Sequence, residues 1–264
     1  MTPELEQVEQ AAWTAQYTGL AQVDPSLGPL ATRVAGLTVH AVAGWPDSAW
    51  HNTVSGAGLD GPATEKGLDV ALALLVRIGA QRPAVQVAQG AGPADRLPGW
   101  LAGRGFVPSA PLLRLQAPAG GAGACGPLAV SVVGPAEGAT VAAVCLQGFG
   151  QVDQRWWRAG LGRPGWTQVL AREDGTAVAT AALFVAGEHA WLGSATTVPG
   201  ARRGGAHRAL VAARLALAAE QGARTVSVKC APGSPSHRNL LAAGFVPAHA
   251  VVQWRREAGP RPST

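Results

Sequence analysis

The tetrapeptide Gly105-Phe-Val-Pro108 returns as Gly244-Phe-Val-Pro247 in the second half of the chain. Each copy follows a short helical stretch (97–104 and 236–243) and precedes an apolar, strand-like run (112–115 and 251–254). Each also lies downstream of a β-branched strand, Ala84-Val-Gln-Val87 in one half and Thr225-Val-Ser-Val-Lys229 in the other. Four matching residues alone say little, but the same match in the same order of elements indicates a tandem duplication. A duplicated chain must fold as two similar units, and 264 residues suffice for two small domains. Residues 117–127 (APAGGAGACGP) offer nothing to pack and read as a linker. The expected organisation is a first domain over 1–116, that linker, a second domain over 128–256 and a tail over 257–264.

The second copy is the sharper one. Its apolar runs predict strands over 128–133, 167–172, 177–185, 190–197, 225–230 and 245–254. Helices are expected over 135–149, 151–159, 206–221 and 236–243. Asp174-Gly175 is a hairpin signal between two of the strands, and Gly187-Glu188 turns the chain into the next. Val211, Leu215 and Ala218 follow i, i+4, i+7, and Gly222 stands where a helix stops. The first copy is a worn version, with helices expected over 3–17, 63–78 and 95–103 and strands over 33–42, 52–56 and 84–88.

Composition narrows the function classes. Apolar residues make up 47% of the chain and charged residues 14%, enough for a core and too few charges for extended disorder. The net charge of +5 comes from scattered arginines, densest at Arg202, Arg203, Arg208 and Arg214. No basic stretch interleaves with aromatics, so no nucleic-acid partner is expected. The start is acidic and lacks an apolar targeting core, and no apolar run is long enough to span a bilayer, so no membrane partner is expected. Cys125, Cys145 and Cys230 lack CxxC spacing and fit a reducing, cytoplasmic setting; no metal site is expected.

The most telling local stretch is Trp191-Leu-Gly-Ser-Ala-Thr-Thr-Val-Pro-Gly-Ala-Arg-Arg-Gly-Gly-Ala-His-Arg-Ala-Leu210. An apolar strand runs into a Pro/Arg/Gly loop that opens directly into an Ala/Leu-rich helix. Glycine permits a tight path and close approach. The first-turn N–H groups of the helix have no intrahelical partner, and its dipole favours negative charge there. Such a turn is ready-made for a phosphate or pyrophosphate. Two Gly-x-Gly-x-x-Gly matches do not compete. The one at 121–126 is followed by proline and a strand, and the one at 56–61 would aim Asp60 at a phosphate and lacks a ribose-binding acid downstream.

This order of elements, with this loop, resembles the GNAT acetyltransferase superfamily, specifically its members with two copies in tandem. The likeness is firm over about 165–254 and looser over 20–116. The family's pyrophosphate motif, Arg/Gln-x-x-Gly-x-Gly/Ala, maps onto Arg202-Arg-Gly-Gly205-Ala-His207, with His207 departing from the last position. The resemblance implies an α/β (α+β) fold of two GNAT-like domains, each a mixed, mostly antiparallel twisted sheet flanked by helices. The N-terminal copy would be degenerate, because its loop has lost the arginines and gained Asp60 and Glu65.

By the same resemblance the ligand is acetyl-CoA, and the activity is transfer of its acetyl group to a primary amine of a small molecule or peptide by direct attack. Backbone groups of Arg202, Arg203, Gly204, Gly205, Ala206, His207 and Arg208 would hold the pyrophosphate. Thr197 and Val198 would bind the pantetheine arm, and Asn239 would stand beside the cofactor. The Val198 N–H is the expected donor to the thioester carbonyl. Glu188 and His249 are the candidates for proton transfer, since the chain's one tyrosine, Tyr17, lies in the other half. Trp156 and Trp157 are expected to wall the acceptor side. A monomer or homodimer is expected. The alternative is a catalytically inactive GNAT scaffold that binds an acyl-CoA or a partner.

Overall fold

The computed structural model describes residues 2–90, 96–120, 128–150 and 153–256. Residues 121–127 of the expected linker, Cys125 within it, and the 257–264 tail lie outside the described residues. The chain divides into two compact units: residues 1–112 with 249–264, and residues 113–248.

Unit 1 begins with α1 (Pro3–Val23), which continues past the expected end at 17. Its buried face carries Leu5, Val8, Ala12, Tyr17 and Leu20. The expected single strand over 33–42 is instead a hairpin of β1 (Pro29–Val34) and β2 (Leu37–Val42). The break falls at Ala35-Gly36, whose φ values of 50° and 79° give the two left-handed residues that a tight hairpin requires. β2 is buried throughout, because both of its faces are covered. Leu37, Val39 and Ala41 join Leu68, Ala71 and Leu75 of α2 (Glu65–Arg77) in one cluster, while Thr38 and His40 bond to Gln10 and Thr14 of α1. β3 (Thr53–Ser55) pairs with β2, and parallel to it runs β4 (Ala84–Ala88). α3 (Leu97–Ala102) and β5 (Phe106–Pro108) follow.

Unit 2 takes β6 (Leu112–Pro118) from Leu113 onward, antiparallel to β11 (Thr225–Cys230). Its remaining strands are β7 (Ala129–Val133), β8 (Trp166–Glu173), β9 (Thr176–Ala186) and β10 (His189–Thr197), in the spatial order β6-β11-β10-β9-β8-β7. All pairs are antiparallel except β10 with β11. One face is covered by α6 (Ala206–Glu220), whose Ala206 and Leu210 pack on Val169, Ala171, Ala179 and Ala181. α4 (Gly138–Phe149) contributes Val141, Val144 and Cys145 to a separate cluster with Val133 and Leu170. α5 (Gln154–Arg158) is short, and α7 (Pro235–Ala242) places Leu240 beside Val211, Leu215 and Phe245.

The last strand, β12 (Val246–Arg256), changes unit at Ala248/His249. Residues 251–255 pair with β4, Trp254–Arg256 pair with β5, and Trp254 packs against the unit 1 core. Each half of the sequence thus supplies a strand to the unit built mainly by the other: β6 to unit 2 and β12 to unit 1. The unit boundaries therefore fall at 112/113 and 248/249, where the chain leaves one hydrogen-bonded ladder for another. Composition marks a linker at 117–127, but Ala117 and Pro118 belong to β6, and backbone pairing decides membership.

Ending the chain after Ala248 keeps β6 to β11 and removes the antiparallel partner of β4 and of β5. Limited proteolysis of that truncated chain should cut within 2–112 and spare 128–245. Equal protection of both regions would show that β12 is dispensable.

Candidate functional site

β10 and β11 run in parallel register only over His189–Trp191 and Thr225–Ser227. Beyond Trp191 the ladder stops, so the second half of β10 has main-chain groups that β11 does not use. On its other edge β10 slips against β9 between Gly193 and Thr196, with Ser194 at φ 50°. This is a β-bulge, which frees and re-aims main-chain groups at a strand end. Regular pairing resumes at Thr196 and Thr197.

The bulge rests on Arg214 of α6, which is 2% exposed. Its Nε donates to the Leu210 carbonyl at 3.0 Å, and its Nη1 donates to the carbonyls of Ala182 (3.0 Å) and Gly193 (3.3 Å). Ala182 and Gly193 are the last regular pair before the slip. Burial draws the guanidinium down to about 9, yet arginine keeps its proton in proteins. A desolvated cation therefore lies under the strand where it leaves the ladder.

After Thr197 the chain makes a 3-10 turn over Pro199–Ala201, then passes through Arg202 and Arg203 (φ 75°) to Gly205 (φ 87°), the N-cap of α6. Gly205 has no side chain, and no side chain caps the helix. The first bond of the helix runs from the Ala209 N–H to the Gly205 carbonyl. The N–H groups of the first turn are thus left for whatever sits on the helix start. Arg202 folds back to the Thr197 carbonyl (3.4 Å) and the Gly148 carbonyl (3.3 Å), while Arg203 and Arg208 are exposed. The structure brings Thr197, Val198 and 202–208 together in one continuous segment at the end of β10.

His207 joins α6 to α7. Its Nε2 faces Ser236 Oγ at 3.3 Å, and its Nδ1 faces the Asn239 amide at 3.4 Å. With Asn239 donating to Nδ1, the proton sits on Nε2. Burial, with the nearby Arg214 charge adding to it, holds His207 down at about 4, so the ring is neutral. Asn239 is therefore tied to the helix start through a histidine. Composition hides this link, because His207 reads there only as a departure from a motif.

Several expected roles are corrected by the structure. The Val198 N–H is already donated to the Val178 carbonyl at 2.9 Å and is not free to polarise a thioester. The residues outside the β9 ladder are Ser194 and Ala195. Gly193 was the available signal, since a glycine inside a strand pattern marks a bulge or a close approach. Glu188 lies at the opposite end of β10, about 20 Å of extended chain from the bulge, and its exposed carboxylate pairs with Arg224 at 3.1 Å. His249 belongs to unit 1, where its Nε2 meets Glu6 Oε1 at 2.8 Å. Trp156 is 3% exposed and serves the core. Trp157 is half-buried, stacks on Phe149 at 5.1 Å and packs in the same cluster as Val198. Tyr17 is buried in unit 1 and donates to the His51 carbonyl at 2.6 Å. Cys145 and Cys230 are buried, and burial pushes the Cys145 thiol up to about 12. Among the described residues no group of three or more metal-ligating side chains forms a candidate cation site.

Residues 143–245 match the model of the acetyltransferase (GNAT) family. The chemistry of GNAT proteins is acyl transfer from an acyl-CoA. Among solved structures, a GCN5-related N-acetyltransferase from Kribbella flavida is similar with a TM-score of 0.67 at 19% identity, over 95% of this chain and 96% of that one. A functionally unknown conserved protein from Staphylococcus epidermidis ATCC 12228 gives 0.62 at 10% identity, over 88% and 96%. A tandem GNAT protein from the clavulanic acid biosynthesis pathway gives 0.58 at 19% identity, over 87% and 80%. These likenesses extend the GNAT fold to both units. No curated protein matches the sequence. No helix among the described residues is long and apolar enough to cross a membrane.

Two outcomes are expected from this geometry. A Cβ on Gly148 would sit 2.0 Å from Thr196 Oγ1 and 2.8 Å from its Cγ2. Thr196 is buried and β-branched, so it has little freedom to yield. Gly148→Ala should cost about 1–3 kcal/mol, read as a lowered urea midpoint, with loss of structure at the end of β10 in hydrogen exchange. An unchanged midpoint would mean that α4 and β10 are not in close contact. The second outcome concerns acid. His40 and His207 are both lowered from 6.5 to about 4, chiefly by burial, so the native state holds them neutral while the unfolded chain takes up protons. Their contribution is complete above pH 6.5 and is lost as pH falls towards 4, on the order of 1 kcal/mol per pH unit per histidine. Urea midpoints at pH 7, 6 and 5 should fall, and His207→Gln should flatten part of that slope.

Proposed function

We propose that unit 2 binds acetyl-CoA and passes its acetyl group to a primary amine of a small molecule or peptide. The observation that carries this reading is the uncapped start of α6, placed directly after a strand whose inner edge is unpaired beyond Trp191. The residues fit the ligand. The N–H groups of the first turn of α6 and the left-handed Arg203 and Gly205 would hold the diphosphate, with the Arg203 and Arg208 charges beside it. The Leu192–Thr197 backbone would pair with the amide-bearing pantetheine arm in the manner of an added strand. Bound there, the ligand supplies a thioester carbonyl as the electrophile.

This chain's part is then positional and electrostatic. Main-chain N–H groups at Ser194 and Ala195 take over the role expected of Val198 and polarise the carbonyl oxygen. The Arg214 cation under the Gly193 carbonyl favours the negative charge that develops above it. Stacked Phe149 and Trp157 wall the acceptor side, which suits an amine with an apolar body. The amine nitrogen forms the new C–N bond, the C–S bond breaks, and the ammonium proton leaves to water or the departing thiolate.

The described residues of unit 1 offer no equivalent turn. The start of α2 is capped by Thr64 Oγ1, which accepts from the Gly67 N–H at 3.1 Å, and Glu65 stands in its first turn. Asp60 is paired with Arg33. A site already filled by a side chain and lined with acid rejects a diphosphate, so one acyl-CoA per chain is the expected stoichiometry.

Calorimetric titration with acetyl-CoA should give one site per chain, and Gly204→Glu should weaken it at least tenfold. Gly204 suits this test better than Gly205, because a Cβ there meets only the Ala201 carbonyl at 3.4 Å and Gly205 has a left-handed φ. Two sites, or unaltered affinity in the variant, would overturn the assignment. A thiol-release assay across primary amines reads the transfer itself. The burial of the chain's one tyrosine in unit 1 favours a second reading, an acyl-CoA-binding scaffold, for which saturable binding without thiol release is the expected result.

A further inference from the structure

The Arg202 side chain has no part in the diphosphate site proposed above. Its Nε donates to the Thr197 carbonyl at 3.4 Å and its Nη2 to the Gly148 carbonyl at 3.3 Å. Both are long bonds to neutral acceptors. Among the described residues no carboxylate pairs with this exposed guanidinium, and its Nη1 has no partner. Apolar surface stands beside it. Phe149, the residue after Gly148, is 45% exposed, and Leu146, one turn before it, is 40% exposed. The Phe149 and Trp157 rings stack at 5.1 Å with 7° between their planes. Trp157 packs on the same cluster as Val198, the residue after Thr197. The close approach of Gly148 to Thr196 sets this end of α4 against the strand just past the bulge. A free cation and an open aromatic wall are thus held side by side at the end of β10.

Charge around this place is one-sided. α4, α5, β10 and residues 198–208 contain no aspartate or glutamate, and they carry Arg155, Arg158, Arg202, Arg203 and Arg208. Asp153, which caps α5, is held by Arg155 at 2.5 Å. A simple alkylamine is a cation at neutral pH, and these surroundings repel it. A zwitterionic amino acid has no net charge, and its carboxylate is the group that a guanidinium with free N–H groups takes up best. The spans agree. Ala195 to Thr197 is about 7 Å of extended chain. An amino-acid backbone with a hydrogen bond at each end covers that distance, from an amine at the bulge to a carboxylate at Arg202.

We propose that the acceptor is a free α-amino acid with a large apolar side chain. Arg202 takes its carboxylate, Phe149 and Trp157 take its side chain, and its amine is left at the Ser194–Ala195 bulge. This rests on the acyl-transfer reading of unit 2, because it names the amine of that reaction. It separates a free amino acid from a peptide N-terminus and from a lysine side chain, neither of which has a carboxylate beside its reacting amine. The nitrogen forms the new C–N bond as the C–S bond breaks. One ammonium proton goes to the departing thiolate and one to water, and the product is an N-acyl amino acid.

The test is calorimetry on the full chain, without and then with saturating coenzyme A. Saturable binding of L-phenylalanine is expected. Glycine lacks the side chain, and 2-phenylethylamine and L-phenylalaninamide lack the carboxylate, so each should bind about tenfold more weakly. Arg202→Gln should lower L-phenylalanine affinity about tenfold and leave 2-phenylethylamine unaltered. An arginine that serves only as a cation at the α4 C-terminus would not give that split. Phe149→Ala, at an exposed position, should weaken L-phenylalanine about fivefold. No saturable heat from millimolar L-phenylalanine in either condition would overturn the proposal. So would equal binding of L-phenylalaninamide, or a folded Arg202→Gln chain that still prefers L-phenylalanine over 2-phenylethylamine. Thiol release from acetyl-CoA with 2-phenylethylamine but not with L-phenylalanine would overturn this proposal alone. Binding of L-phenylalanine by a chain that binds no acetyl-CoA would instead remove the acyl-transfer reading and leave the amino-acid site standing.

Discussion

The site proposed in unit 2 depends on β10 leaving its neighbours at a fixed place, and Arg214 holds that place. One guanidinium, desolvated under the sheet, takes the carbonyls of Ala182 and Gly193, the last regular pair of the β9–β10 ladder. A buried cation tolerates its burial only where each N–H finds an acceptor. The carbonyls beside a bulge are suitable acceptors, because the ladder beyond them is broken. Ion and bulge therefore stabilise each other, and the cation's positive field lies where a thioester and a diphosphate would bring negative charge. On the opposite face Gly148 lets α4 approach Thr196 closely, so the freed strand end is held from both sides.

The two units differ by a few atoms at the start of one helix. In unit 2 the helix after the third strand of the meander starts at a bare glycine, and its N–H groups are unspent. In unit 1 the matching helix starts at Thr64, whose hydroxyl satisfies the first turn from within, and Glu65 adds negative charge. Duplication supplied two similar scaffolds. Capping chemistry, worth about 1 kcal/mol per bond, decides which of them has N–H groups to offer a phosphate.

Much of this was legible in the sequence. The GFVP echo and its flanking elements indicated two copies, and the glycine–arginine turn marked the helix start that no side chain caps. Local signals failed where chain neighbours and spatial neighbours differ. Ala35-Gly36 breaks one expected strand into a hairpin, because alanine gives no warning of a positive φ. Val198 followed the strand and looked like the donor, yet hydrogen bonding to Val178 consumes its N–H. Glu188 shares a strand with the bulge but sits at its far end. His249 follows the second GFVP copy closely and still belongs to unit 1, because β12 pairs with β4 after Ala248.

The amino-acid sequence by itself determined the duplicated α/β plan, the apolar faces of its helices and the unblocked helix start at Gly205. These follow from local rules: periodicity, glycine's freedom at positive φ, and the orphan N–H groups of a first turn. Tertiary structure alone decided which strand completes which unit, where β10 parts from its neighbours, and that Arg214 and His207 work from within the fold. Those outcomes depend on hydrogen bonds and burial between residues distant in the chain, and no window along the sequence contains both partners.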